Sequence, residues 1–142
     1  MIKLHSFVKG LMPNYCALCG MVSTQAYCLC VHCENRLPWF GDSDPSSCRP
    51  HPDFNRLVVA CEYKTPISWM LTRLKFTGAL AYSEILSNLL YKKVRQTYRD
   101  HNDLPDCIIP VPLHPSRMKT RGFNQALELA KPLAKRLNIA ID

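Results

Sequence analysis

Apolar residues recur with helical period in three segments between residues 65 and 137. The first predicts a helix that starts at Thr65-Pro66, a hydroxyl N-cap followed by proline, and ends at Gly78. The second predicts a helix over about residues 80–99. The third begins near Phe123-Asn124, and Pro132 within it predicts a kink or two short helices. The apolar positions are Ile67, Met70, Leu71 and Leu74, then Leu86, Leu89, Leu90 and Val94, then Phe123, Ala126, Leu127, Ala130, Leu133, Ala134 and Leu137.

Short apolar runs predict three strands, at residues 56–63, 107–111 and 139–142. The middle run is bounded by prolines and is expected to be buried. A proline-rich basic loop, residues 112–122, follows it and leads into the third helix. A strand, a cationic loop and a helix in this order place a ligand site at the carboxyl end of a strand in an α/β sheet. The cations of that loop are Arg117, Lys119 and Arg121.

Five of the eight cysteines fall between Cys16 and Cys33, and four of them form two CxxC pairs. The opening residues contain no continuous apolar segment of a secretory signal, so the thiols are expected to stay reduced. Two CxxC pairs supply the four thiolates of a tetrahedral zinc site. The expected ligands are Cys16, Cys19, Cys30 and Cys33. Unrelated structural or redox cysteines are the weaker alternative, and Cys28 and His32 are left out of the site.

The chain of 142 residues carries a net charge of +7, and 47% of its residues are hydrophobic. This composition excludes wholesale disorder, and no run approaches membrane-spanning length. Twelve of the cations lie from Arg73 onward, against six acidic residues. The second half therefore favours anionic partners such as phosphates or nucleic acid, with a well-solvated basic surface as the equal alternative.

The predicted organisation is a zinc-binding module over residues 1–40, a linker over residues 41–53 and an α/β domain over residues 54–142. Residues 1–12 predict a short amphipathic turn. The linker is rich in proline, serine and aspartate. It contains Cys48 and His51 as a CxxH pair, and whether they bind metal is left open.

With these motifs in view, the chain resembles the ComF family of competence proteins. The matching pieces are Cys16-Ala-Leu-Cys19-Gly20, Cys30-Val-His-Cys33, Leu37-Pro38-Trp39, Leu74-Lys75-Phe76-Thr77-Gly78, Pro110-Val-Pro-Leu113 and Arg121-Gly-Phe-Asn-Gln-Ala126. They cover nearly the whole chain in the family's order.

The resemblance implies an α/β fold, with a zinc ribbon or knuckle followed by a mostly parallel sheet of phosphoribosyltransferase type. It implies a role in the uptake of single-stranded DNA during natural transformation. The implied location is the cytoplasm, with the inner face of the inner membrane as the more specific alternative. It also implies a competence helicase or other uptake proteins as partners. Carried over residue by residue, the phosphate-binding positions are Lys75, Gly78, Arg117, Arg121, Gly122 and Asn124.

One departure changes what the resemblance implies for catalysis. The family's acidic pair followed by a Thr-Thr-Gly turn, which binds phosphoribosyl pyrophosphate, has no counterpart before Asp142. Without such a glycine-rich turn a phosphate loses its main backbone anchor. The chain is therefore expected to be truncated and without catalysis, and phosphoribosyl pyrophosphate with magnesium is expected only of a full-length chain. The alternatives are a phosphoribosyltransferase-type enzyme of nucleotide or related metabolism (GntX-like) when full length, and an inactive fragment.

Overall fold

The computed structural model describes residues 14–41, 56–98, 100 and 103–142. The chain divides into two compact units, Met1–Leu37 and Pro38–Asp142. The expected turn at residues 1–12 and the CxxH pair of Cys48 and His51 lie outside the described residues. The predicted domain boundaries stay predictions.

The first unit contains an antiparallel hairpin and a short helix. Strands β1 (Asn14–Tyr15) and β2 (Val22–Ser23) pair Asn14 with Ser23. Helix α1 covers Val31–Asn35. It starts inside the second CxxC pair because the Cys30 thiol accepts a hydrogen bond from the Cys33 backbone N–H at 3.5 Å and so caps it.

The second unit is built on three helices, α2 (Ile67–Thr77), α3 (Ala81–Thr97) and α5 (Gln125–Leu137). Helix α2 ends at Gly78 with φ of 62°, as predicted. Its predicted start is wrong: Pro66 occupies the N-cap position and no side chain caps the helix, so Thr65 plays no capping part. None of the described helices combines the length and apolar character needed to cross a membrane.

The core of this unit lies where α3 contacts α2 and α5. Ile85 and Leu89 are the fully buried apolar residues of α3, whereas the predicted stripe members Leu86, Leu90 and Val94 are only half-buried. Each such buried side chain contributes about 1.5–3 kcal/mol. An exposed ion pair such as Arg136–Glu84, at 3.4 Å, contributes about 0–1 kcal/mol, so apolar packing holds the helices together. The other buried apolar residues are Ile67, Met70, Leu74, Ala130, Leu133, Ala134 and Leu137.

Helix α5 continues through Pro132 as one helix, so the prediction of two short helices is wrong. The Asn124 side chain caps its start by accepting a hydrogen bond from the Ala126 N–H at 2.9 Å. Asn138 ends the helix in the left-handed conformation, with φ of 57°.

Strands β3 (Cys107–Ile108) and β4 (Ala140–Ile141) form a parallel pair, with Ile108 opposite Ile141. The strand predicted at residues 107–111 forms only over Cys107–Ile108, and its predicted burial is wrong, because Ile109 and Val111 are 68% and 75% exposed. Pro110 and Pro112 lack the N–H groups that would continue the ladder. The strand predicted at 56–63 is reduced to one bridge between Trp39 and Cys61. The described chain is thus a mixed helix–strand protein with small sheets.

The basic segment predicted as a loop is largely helical. Helix α4 covers Pro115–Arg121. Proline occupies its first position, the His114 side chain accepts a hydrogen bond from the Ser116 N–H at 3.3 Å, and Gly122 ends it with φ of 76°. The capping side chain, the proline at the first helical position and the terminating glycine are helix start and stop signals, so a helix forms although the segment is rich in proline.

We expect Asn124→Ala to lower the free energy of unfolding by about 1–2 kcal/mol, because the α5 cap is lost. The same side chain also donates to the Val111 carbonyl at 3.0 Å, a bond that Asn124→Ala removes as well. Urea denaturation measures the change. Asn124→Ser should recover part of it, since serine also caps. The exposed Lys135→Ala on the same helix is the control, and an equal loss in both variants would show that the cap has no special part.

Candidate functional site

Four cysteine thiols converge in the first unit. The sulfur atoms of Cys16, Cys19, Cys30 and Cys33 all lie within 4.8 Å of one another. Those of Cys19 and Cys30 are 3.7 Å apart. A tetrahedron with metal–sulfur bonds of about 2.3 Å has sulfur–sulfur edges of about 3.8 Å, so the cluster fits a tetrahedral thiolate site. Cys28 and His32, which the sequence analysis left out, lie outside the cluster.

Backbone turns present the first pair of thiols. The Cys16 N–H donates to the Met21 carbonyl at 2.7 Å, and the Gly20 N–H donates to the Cys16 carbonyl at 2.8 Å. Gly20 has φ of 75°, a conformation that side chains with a Cβ rarely adopt. Gly20 follows the first CxxC pair directly and lies where this turn requires a glycine.

The buried carboxylate of Glu34 braces the loop between the two CxxC pairs. It accepts hydrogen bonds from Tyr27 Oη at 2.7 Å and from Gln25 Nε2 at 3.1 Å. Glu34 is only 6% exposed, so these bonds satisfy a group that would be costly to bury without partners. Glu34 is not among the residues predicted from the sequence, and its place one residue after the last CxxC is the signal that could have found it.

The thiols have unequal acidities because they are crowded. Burial raises the pKa of Cys16, but hydrogen bonds from the backbone of Cys30, Cys19 and Leu18 outweigh it and lower the pKa to about 6. Burial raises the pKa of Cys33 far above its ordinary value, and hydrogen bonds to the other thiols raise it further. Four thiolates this close repel one another, so the cluster can ionise completely only around a cation. A divalent metal ion that prefers sulfur is the group that these residues could hold.

The second unit contains a pocket of about 750 Å³ where α2 and α4 end. Lys75, Gly78, Arg117 and Arg121, four of the six predicted phosphate-binding residues, line it. The structure thus brings these four residues together, and phosphate binding by them stays a prediction. The remaining lining residues are Phe76, Thr77, Thr120 and Phe123.

Gly122 and Asn124 do not line this pocket; each terminates a helix beside it, Gly122 at the end of α4 and Asn124 at the start of α5. Thr77 and Thr120 were not predicted. Their hydroxyls donate to the carbonyls of Arg73 and Ser116 at 2.7 and 2.8 Å, so they would need to rotate to donate to a ligand. Their spacing, next to Gly78 and one turn beyond Arg117, was the signal that could have found them.

The pocket cations have no carboxylate partners among the described residues. Arg121 donates to Gln125 Oε1 at 3.0 Å, and its guanidinium lies 5.4 Å from the centre of the Phe76 ring. Elsewhere in the unit cations do pair with acids, as in Lys131–Glu128 and Arg136–Glu84. The segments 63–83 and 107–127, which supply the pocket, contain no aspartate or glutamate. The pocket is thus a positively charged site without internal neutralisation, and we call it the basic pocket.

Comparison with known proteins finds several similar curated proteins. The chain is 32% identical over 138 residues to "Competence protein F" of Haemophilus influenzae, a match of 96% of this chain and 58% of that protein. It is 35% identical over 130 residues to "DNA utilization protein YhgH" of Salmonella typhimurium, covering 89% and 56%. It is 31% identical over 128 residues to the protein of that name in Escherichia coli, covering 89% and 50%.

The chain spans about half the length of the curated relatives that it matches. No protein-family model matches the chain. No solved structure matches it either.

We expect the four-cysteine cluster to bind one divalent metal ion per chain. Titration of the reduced, metal-free protein with Co²⁺ should give the absorption spectrum of tetrahedral cobalt thiolate and saturate at one equivalent. The variant with Cys16→Ser and Cys30→Ser should lose that spectrum. Cys28→Ser is the matched control, because Cys28 lies between the pairs but outside the cluster. Loss of the spectrum in the control, or its retention in the double variant, would show that other ligands hold the ion.

Proposed function

The chain belongs to the ComF family, and from that premise we propose that it assists the uptake of single-stranded DNA in natural transformation. The names of its relatives, a competence protein and DNA utilization proteins, support this role over the metabolic alternative. We place it in the cytoplasm, working with a competence helicase or other uptake proteins. The observation that carries the proposal is the basic pocket.

The basic pocket has the chemistry for a phosphodiester backbone. Lys75, Arg117 and Arg121 line one cavity, and two of the three are arginines, which bind phosphate oxygens with paired N–H donors. Gly78 ends α2 without adding a side chain to the cavity. Gly122 and Asn124 fix the end of α4 and the start of α5, so they position the cations rather than contact the ligand.

Charge alone sets the expected strength of this contact. If three phosphates of a single strand are neutralised, the logarithm of the binding constant should fall with the logarithm of the salt concentration with a slope of roughly −2. Such binding is sequence-independent and weakens steeply with ionic strength. This suits a protein that handles incoming DNA of any sequence.

Two structural parts of the proposal rest on the family together with the geometry. We propose zinc as the ion of the cysteine cluster, because four thiolates in a tetrahedron are its usual structural site. We propose that β3 and β4 belong to a parallel sheet of phosphoribosyltransferase type, with α4 and α5 in the connection between the two strands. The parallel pairing of β3 with β4 across two helices supports this part.

We expect the variant with Arg117→Ala and Arg121→Ala to bind a single-stranded oligonucleotide more weakly and with a salt slope smaller by about 1.4, since two phosphate contacts are lost. Fluorescence anisotropy at several salt concentrations measures both. The control variant, Lys131→Ala with Arg136→Ala, removes the same net charge from residues that already pair with carboxylates. Equal slopes in the two variants would show that net charge, and not the basic pocket, determines binding.

A further inference from the structure

Helix α2 carries a second exposed surface that continues from the basic pocket. Trp69, Arg73 and Phe76 are spaced i, i+4 and i+7, so at 3.6 residues per turn they lie within about 60° of one another around the helix. Phe76 is 72% exposed and Trp69 is 40% exposed. The buried residues of α2, at positions 67, 70 and 74, lie on a different face. We call the three exposed residues the aromatic face.

The aromatic face is not needed to anchor α2, because Ile67, Met70 and Leu74 already do so with exposures of 5% or less. Neighbouring side chains contact both of its rings. Trp69 meets Tyr82 edge to face, with ring centres 5.3 Å apart and an angle of 75° between the planes. An arginine lies over each ring, Arg73 over Trp69 at 5.5 Å and Arg121 over Phe76 at 5.4 Å.

We infer that the aromatic face binds the bases of the same single-stranded nucleic acid whose phosphates bind in the basic pocket, an inference that rests on the proposed function. Every base has a face that can stack on an aromatic ring, so such contacts need no sequence preference. A ring whose position is already restrained by its neighbours loses little freedom when a base stacks on it. Arg73 and Arg121 are placed to supply cation–π and phosphate contacts beside each stacked base.

The spacing of the rings fits a strand lying along α2. Trp69 and Phe76 are seven residues apart, about 10.5 Å along the helix axis. At about 3.4 Å per stacked base this distance covers about three base steps. Phe76 also lines the basic pocket, so a strand with its phosphates there reaches the aromatic face without a gap.

An apolar protein surface is a poorer occupant for the aromatic face than a nucleic acid. The face has one arginine between two aromatic rings, and no acidic residue occurs between Tyr63 and Ser83. A partner must therefore offer both flat apolar groups and negative charge at short intervals. Single-stranded nucleic acid does so at every nucleotide, whereas duplex DNA keeps its bases in its own stack.

The test compares a thymidine oligonucleotide with an abasic strand of equal length, which has phosphates but no bases. Trp69→Leu should weaken binding of the thymidine strand at least about fivefold and leave binding of the abasic strand unchanged. Phe76→Leu should weaken binding of the thymidine strand by more than it weakens binding of the abasic strand, because Phe76 also lines the basic pocket. Val111→Ala, at an equally exposed apolar position outside the face, is the matched control. In a Trp39→Phe background Trp69 is the only tryptophan, and its fluorescence should be quenched by the thymidine strand alone.

The outcomes separate this inference from the proposed function. Equal affinity for both strands, with loss of both in the Arg117→Ala, Arg121→Ala variant, would leave the basic pocket standing and overturn the aromatic face. Absence of binding to either strand would overturn both. Self-association that Phe76→Leu abolishes and the thymidine strand does not compete with would identify a second copy as the occupant and also overturn the inference.

Discussion

The parallel pairing of β3 with β4 is the constraint on which the second unit depends. Two parallel strands cannot be joined by a tight turn, so the chain must cross over between them. Here the crossover is residues 109–139, and it carries both α4 and α5. The segment that leaves β3 therefore begins at the carboxyl end of a strand, where α4 brings Arg117 and Arg121 to the pocket. Helix α5 packs on α3, and this packing holds the part of the crossover that follows α4. The position of the basic pocket therefore depends on helix packing in which Lys75, Arg117 and Arg121 take no part.

The described part of the first unit has a much smaller apolar core than the second unit. Between residues 14 and 37 the buried apolar side chains are Cys16, Leu29 and Leu37. The two leucines contribute about 1.5–3 kcal/mol each. Ordering this stretch costs about 1–2 kcal/mol of backbone entropy per residue, several times as much. In segments this small, a bound metal ion supplies free energy of this kind, and the four-cysteine cluster fits such an ion. The thiol cluster is thus a structural element first, which is why two CxxC pairs predict the fold of this unit better than its apolar pattern does.

Features that depend on local chemistry could be predicted from the sequence. Features that depend on which elements pack against one another could not. The convergence of four cysteine sulfur atoms, the left-handed Gly78 and a strand within residues 139–142 follow from spacing and from residues with few conformational options. The predicted burial of Ile109 and Val111 failed because burial depends on which strands lie alongside, which no local run encodes. The helix at 115–121 was missed because Pro112 and Pro115 suggested a loop, although a proline at the first helical position is a start signal. Trp69 was overlooked as a surface residue because its exposure depends on which side of α2 the core occupies.

Charge at the basic pocket decides what each part of the proposed site can contribute. Helices α2 and α4 both end there, and their carbonyl ends together carry roughly −1 charge. Lys75, Arg117 and Arg121 exceed this, so roughly two positive charges remain for a ligand. That excess attracts any phosphate backbone, single-stranded or duplex, and cannot tell one from the other. Discrimination must come from groups that need an unpaired base, and on this surface those groups are the rings of Trp69 and Phe76. In the proposed site, affinity therefore rests on Lys75, Arg117 and Arg121, whereas strand selectivity rests on the rings of α2, and Trp69 lies outside the basic pocket, so that its ring can be altered without changing the cations.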